Sequence, residues 1–337
     1  MPKVISRPSL DLLAYQPGYF GKLAVKLYGL AASDPPAQAV VGFPDALAPY
    51  LRLLYGKQPF MLVRPDQAPP AFTVDPSDNR VLVGFSGGKD STAVALMLRA
   101  LGKSPILFRV DGINPAYPDE AGAAERVARA LAMPLKVLTL RVAKGAHIEN
   151  PAKNQVIQLL MADYGVQHGI ARHAMGGLQD DTIGEQSYSA GYSDAVELFD
   201  AMGAALEKLV PGYKWLGGLL KNDTDALLTV MAYPDVHQAV QSCMTPIRYR
   251  GKLAAGNAAK FGIEVMPGRC MSCYECCLEW LHMRAMGKFG PNQDLVNHCI
   301  EVLHKAAPMI MGKELPMAEV IPKFIDQRML KEAGSAL

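Results

Sequence analysis

The sequence predicts an α/β protein: a parallel sheet with helices on both faces, followed by a helical C-terminal segment that binds zinc. Three observations carry this expectation. The apolar run Val81 to Gly84 turns through Ser86-Gly87-Gly88 into AVALMLRAL, a stretch of strong helix formers. Further apolar strands then alternate with helical patterns at the spacing of β-α-β units. Finally, Cys270, Cys273 and Cys276 follow a C-x2-C-x2-C pattern near the end of the chain.

Residues 1–76 read as an N-terminal extension. PSLDLLAYQPGYFGKLAVKLYGL is mixed and aromatic, a helical pattern runs from Ala46 to Tyr55, and Pro69, Pro70 and Pro76 mark a boundary or surface tether. Residues 77–240 form the expected α/β domain. Its second strand is Ile106 to Val110, a helix covers Ala121 to Met133, and LKVLTLRV is the third strand. A longer helix spans Lys153 to Arg172, and His173 to Leu178 is a short fourth strand ending in Gly176-Gly177. Residues 241–337 make the cysteine-bearing C-terminal region, with an amphipathic helix around Glu319 to Leu330.

Strands in such a sheet point their carboxyl ends at the ligand crevice, and the glycine turn lies there. It satisfies neither common phosphate-loop pattern. A Walker A loop needs glycine at Val83 and Ser or Thr at Asp90, and a G-x-G-x-x-G triplet needs glycine at Ser86. The chemistry still favours an anion. Gly87 and Gly88 let backbone N–H groups approach an oxyanion, the new helix aims its dipole there, and Ser86 and Ser91 add hydroxyls. Lys89 supplies a cation. Asp90 suits helix capping or a Mg²⁺ that bridges phosphates. Asp180 and Asp181, at the end of the fourth strand, project into the same crevice to bind Mg²⁺ or orient a substrate, although adjacent acids also suit a solvated turn.

The stretch SGGKDS, Ser86 to Ser91, resembles the SGGxDS signature of the PP-loop ATP pyrophosphatases, whose fold is adenine nucleotide alpha hydrolase-like. The resemblance implies that ATP is held by Ser86, Gly87, Gly88, Lys89, Asp90 and Ser91. It also implies cleavage between the α- and β-phosphates, with adenylation of a substrate. It places Arg109, Val110 and Asp111 beside the adenine and Gly176 at the nucleotide edge; plain core is the other reading of Val110. Within that superfamily, SYSAGYSDAVELF is similar to a segment of the 7-cyano-7-deazaguanine (preQ0) synthases. Tyr188, Gly191, Tyr192 and Asp194 fall on its substrate-binding pattern, while Ala190, Ser193 and Ala195-Val196 depart from it. Lys221, in GLLKNDT, resembles the family's nucleotide-proximal lysine, and a solvated helix-start lysine is the alternative.

The cysteines are an independent signal. Thiolates three residues apart in a turn converge on one tetrahedral ion, and a fourth ligand comes from a distant segment. The chain has no export signal, so disulfides are not expected. The resemblance assigns the fourth position to Cys243, with Zn²⁺ as a structural metal. Twenty-six residues separate Cys243 from Cys270, longer than the family's usual spacing, and Cys277, His282 and Cys299 are substitutes.

The chain has 337 residues, 50% of them hydrophobic, and a formal net charge of +2. That balance supports a large core and disfavours a polynucleotide-coating role. No leader and no run of 18 apolar residues is present, so the expectation is a cytoplasmic protein with no membrane partner. The resemblance implies a ligase that adenylates 7-carboxy-7-deazaguanine and converts it with ammonia to the amide and nitrile, as a possible homodimer. A diverged enzyme that attaches the deazaguanine to DNA or protein, in phage or antiphage settings, is the second reading. A PP-loop tRNA thiolase is the third, and a binding module without turnover is the fourth.

Overall fold

Val81, Leu82 and Val83 are all fully buried at the centre of a six-stranded sheet. The computed structural model describes residues 10–13, 15–31, 39–55, 61–63, 68–70, 75, 77–113, 120–142, 152–181, 194–245, 247–311 and 316–324. Its sheet is formed by β1 (Leu10–Leu13), β4 (Arg80–Gly84), β5 (Ser104–Asp111), β6 (Leu135–Val142), β7 (Arg172–Ala174) and β8 (Lys214–Trp215). The order is β1-β6-β5-β4-β7-β8. Five strands are parallel, and β1 closes the β6 edge antiparallel, with Leu10 opposite Val142. A separate parallel pair joins β2 (Ala39–Val41) to β3 (Met61–Val63).

Side-chain alternation along β4 sends its apolar run into two cores. Val81 and Val83 join Leu107 beneath α3 (Lys89–Ala100), α4 (Glu120–Leu131), α7 (Asp223–Met231) and α8 (Pro234–Ala239). Leu82, Phe108 and Val110 face the other way. They pack under α1 (Tyr19–Ala31), α2 (Ala48–Tyr55), α5 (Lys153–His168) and α6 (Val196–Leu209). Helices therefore cover both faces, as the sequence predicts.

After β6 the chain crosses back to pair β7 with the other side of β4, so the strand order reverses at β4. Helix boundaries follow local chemistry. Gly169, left-handed at φ 66°, ends α5 with its N–H on the Gly165 carbonyl, and the Asn222 side chain caps α7 by accepting from the Asp225 N–H.

Residues before 77 share the first core. Phe20, Leu27, Tyr50 and Leu51 are fully buried, and α1 lies against α5. Asp163 on α5 ties this segment down, accepting from the Gly18 N–H at 2.8 Å and the Tyr15 hydroxyl at 2.9 Å. Burial, together with the Asp163 charge, pushes the Tyr15 hydroxyl pKa up.

The C-terminal region has its own core. It is built from α9 (Ile247–Phe261), α10 (Tyr274–Ala285), α11 (Gln293–Met311) and α12 (Met317–Phe324), around Leu281, Leu295, Cys299 and Leu303. No helix among the described residues is long and apolar enough to cross a membrane.

Candidate functional site

The glycine turn leaves β4 at the point where the strand order reverses, the position at which open α/β sheets bind their ligands. Gly87 has φ +83°, and a Cβ there would come within 2.5 Å of the Ala124 backbone nitrogen. Two independent reasons therefore require glycine. Gly176, at the end of β7, is pinned similarly: a Cβ would meet the Ser91 nitrogen at 2.7 Å.

The two serines brace the turn itself. Gly88 N–H donates to Ser86 Oγ at 3.2 Å, Ser86 and Ser91 hydroxyls lie 3.3 Å apart, and Ser91 donates to the Gly88 carbonyl. Gly88 is the N-cap of α3 without a side-chain cap. Asp90 lies inside the first turn, so the capping role is not realised. Arg109 is buried, pairs with Asp111 and donates to the Ser86 carbonyl at 3.3 Å, supporting the loop from below. Val110 is buried in the first core.

Lys89 is buried and held by acids from distant segments. Its Nζ is 2.8 Å from Asp223 Oδ1, 2.8 Å from Glu275 Oε2 and 3.7 Å from Asp90 Oδ1. Burial alone would push its pKa down. The carboxylates of Asp223, Asp90 and Glu275 outweigh that and hold the ammonium well above its ordinary range.

The acids pay in turn. Burial pushes Asp90 up to about 7 against the pull of Lys89, with Asp223, Glu275 and Asp194 adding repulsion. Burial and the charges of Asp223, Asp194 and Asp90 push Asp181 up to about 8. Glu275 is also raised, by burial first. Asp90 Oδ1 is buried without a hydrogen-bond partner. Asp194 accepts from the Asn154 amide.

Of the expected acidic pair, then, Asp181 enters this group while Asp180 is exposed, its N–H donating to the Lys221 carbonyl. Lys221 is exposed at the entry to α7, and the residue of that segment that meets the loop is Asp223. Tyr188, Gly191 and Tyr192 lie outside the described residues. Sequence reasoning missed Asp223, Glu275 and Ser242. Asp223 has a local signal, since it stands one residue after the α7 cap.

Cys243, Cys270, Cys273 and Cys276 bring their four sulfurs within 4.8 Å of one another. The Cys270–Cys276 and Cys243–Cys273 separations are 4.0 and 3.9 Å. Four sulfurs at zinc's bond length of ~2.3 Å make a tetrahedron with edges of about 3.8 Å, so the donor set fits zinc. Hydrogen bonds among the thiols, led by those to Cys243, hold the Cys270 thiol far below its usual range and push Cys273 and Cys276 far above theirs. A cation held by the four sulfurs would replace those competing protons.

The long segment between Cys243 and Cys270 does not separate the sulfurs, because α9 absorbs most of it. Asn257 on α9 then donates to the Cys270 and Met271 carbonyls and to Ser272 Oγ. Thr245 Oγ1 donates to Cys270 Sγ at 3.1 Å, and the Ser272 N–H does so at 3.2 Å.

The substitutes have other partners. His282 Nδ1 faces the Leu278 carbonyl at 2.8 Å and so carries the proton; Nε2 accepts from the Thr224 hydroxyl at 2.8 Å. Cys277 and Cys299 pair with each other, which pushes the Cys277 thiol up. Beside the sulfurs, Glu279 accepts from Arg269 through both oxygens at 2.8 Å and from His237 at 2.7 Å. Burial works against the Glu279 charge, but His237 and Arg269 overcome it and hold the carboxyl at about 2. A cavity of about 10 Å³, room for one water, lies between this ion group and Lys89, lined by Asp223, Ser242, Glu275 and His282.

No family model matches the chain, and no curated protein matches it. Among solved structures, a predicted subunit of tRNA methyltransferase from Methanocaldococcus jannaschii is similar over 42% of this chain and 68% of that one. The identity is 23% and the TM-score 0.28, a likeness that carries no functional inference.

Proposed function

We propose that the chain is a PP-loop ATP-dependent ligase: it transfers AMP from ATP to the carboxylate of a 7-carboxy-7-deazaguanine, releases pyrophosphate, and passes the acyl group to ammonia. One observation carries this reading. The glycine turn stands at the reversal of a parallel sheet, with a buried lysine and the carboxylates of Asp90, Asp223 and Glu275 gathered around it and Asp181 electrostatically coupled to the group.

In this reading the amide of Gly87, with the start of α3, faces the leaving pyrophosphate, and Lys89 offsets its developing charge. A substrate carboxylate oxygen attacks the α-phosphorus as the α–β anhydride bond breaks, leaving an acyl adenylate. Ammonia then attacks the acyl carbon, AMP departs and the amide forms. A second adenylation, on the amide oxygen, precedes loss of AMP to give the nitrile.

Mg²⁺ fits the acids. Asp90 Oδ1 has no hydrogen-bond partner, and Asp90 and Asp181 are raised by burial first and then by neighbouring carboxylates, a cost that a dication would relieve. Asp90, Asp181 and Asp223 would hold it, and it would supply charge for the phosphates. Tyr188, Gly191, Tyr192 and Asp194 are the proposed contacts to the base, and Arg109, which stands under the loop, is the proposed neighbour of the adenine. Zinc on the four cysteines serves folding, as a site with no open position for chemistry.

The departures at Ala190, Ser193 and Ala195-Val196 motivate the alternative, a diverged enzyme that attaches the deazaguanine to DNA or protein. The test is pyrophosphate release from ATP with Mg²⁺ and ammonium, with and without 7-carboxy-7-deazaguanine, followed by mass analysis of the base. Base-dependent pyrophosphate with an amide or nitrile product supports the ligase. Release that requires a macromolecular acceptor moves the function to the second reading, and no release under either condition refutes adenylation.

A further inference from the structure

Both arms of the four-sulfur centre lie on the glycine loop. Leading into Cys243, the Gln241 N–H donates to the Gly87 carbonyl at 3.2 Å, and Ser242 Oγ accepts from the Lys89 N–H at 3.2 Å. In the other arm, Glu275 stands between Cys273 and Cys276 in the first turn of α10 and receives the Lys89 side chain at 2.8 Å. The main chain and the side chain of one loop residue are thus each held by a different arm. Glu275 is separated from Lys89 by 186 positions, so only the fold of the cysteine corner puts it there.

We infer that Ser242 and Glu275 are positioning residues through which the metal centre fastens the phosphate loop, so that metal occupancy and loop order are linked. With four thiolates on one ion, the 241–243 strap and the start of α10 have a single relative position, and Lys89 is fixed between them. Without the ion the four sulfurs have no common partner, and the two arms are free to part. The loop then loses three hydrogen bonds to segments it cannot reach through its own strand or helix. Linkage makes the effect reciprocal: if the ion tightens the loop for nucleotide, nucleotide tightens the ion by the same factor. Only this reciprocal part rests on the ATP reading above; the fastening of the loop does not.

The test uses the full chain, with zinc content measured throughout. Amide exchange of the peptide covering residues 84–92 is followed by mass spectrometry in zinc-loaded and chelator-stripped protein and in zinc-loaded Ser242→Ala and Glu275→Gln. Stripping is expected to raise loop exchange about tenfold or more, as loss of a buried paired partner does. Each variant is expected to raise it severalfold with zinc content intact and with α10 and α11 still protected. The variants keep the test valid if the stripped C-terminal core unfolds. Loop exchange indifferent to zinc and to both substitutions overturns the inference.

A second arm adds Mg²⁺ with α,β-methylene-ATP, its binding read by calorimetry, and times zinc loss to a chelator. Slower zinc loss in the unaltered chain, lost in Glu275→Gln, supports the linkage. Binding without any slowing refutes it. No binding, with loop exchange still governed by zinc, refutes the ATP reading and leaves the fastening intact.

Discussion

The sheet and the cysteine corner are held together by opposite means. The sheet's two cores are built mainly of apolar side chains, with Val81, Leu82 and Val83 of β4 buried on both faces, and the polar groups they enclose include Gln155, Gln158, Asp163 and a neutral histidine, His173. The corner encloses four sulfurs and the Arg269–Glu279–His237 ion group, with a much smaller set of aliphatic side chains. The first kind of core stabilises itself by area removed from water. The second depends on charges being matched, so it is the half that a missing ion or a missing partner disables. The glycine loop touches both, and its order depends on each.

The largest effect is expected where the corner loses its ion. Cys273→Ser should abolish bound zinc and cost on the order of 5 kcal/mol, a fraction of what a structural zinc contributes. Thermal unfolding should then split, with α9 to α12 melting first. Metal analysis with two-probe melting checks it, and a single unshifted transition would erase the contrast drawn here.

Next is Arg269→Ala, which strips Glu279 of its bidentate partner inside the core. It should cost about 3 kcal/mol in denaturant unfolding. A loss no larger than that of an exposed pair would mean the ion group is dispensable.

The sheet should answer to acid through His173. Burial lowers this histidine from 6.5 to about 4. Its Nε2 donates to the Ile170 carbonyl at 3.0 Å, and its Nδ1 has no partner. Between pH 6.5 and about 4 the unfolded chain binds the proton and the folded chain does not, so stability falls as pH falls through that window. The loss should reach about 3 kcal/mol. The difference in stability between His173→Gln and the unaltered chain, followed across pH 4–7, should change by that amount, whereas a constant difference would contradict it.

The smallest effect separates two left-handed glycines. Gly87→Ala should cost about 2 kcal/mol and destroy the loop, because φ +83° and the Ala124 backbone both oppose a methyl. Gly102→Ala, at φ +72° with open space around it, should cost only about 1 kcal/mol and leave the loop unaffected. Equal losses would show that backbone strain alone, and not the close approach to α4, dictates Gly87.

Much of the sheet is legible because its signals are local. The Val81–Gly84 run, the glycine turn, LKVLTLRV and the Ala121 helix need only a few consecutive residues to declare themselves. β1 is not legible, since LDLL becomes a strand only by pairing antiparallel with β6 from 132 positions away at Leu10 and Val142. Helix α1 hides in a mixed, aromatic segment whose apolar face is explained only by α5. Helix α6 carries an amphipathic pattern, but it begins directly after the aromatic Ser-Tyr-Gly stretch, whose motif signal overlaps its start.

At the site, the loop and Asp181 are visible from their place after strands, whereas Glu275 is hidden among cysteines that suggest metal alone. Lys221 shows the limit of motif position: the conspicuous cation is exposed, and its neighbour Asp223 reaches the loop. The Cys243 assignment survives its long gap because the intervening residues form a helix, which returns the chain to where it left.

The most direct test of the central claim is exchange of labelled pyrophosphate into ATP in the presence of Mg²⁺ and 7-carboxy-7-deazaguanine, without ammonia. Reversible adenylation predicts label in ATP only when the carboxylate is present, and none in Lys89→Met or Asp90→Ala. Hydrolysis to ADP and phosphate, or exchange that ignores the carboxylate, would contradict cleavage between the α- and β-phosphates for a carboxylate acceptor.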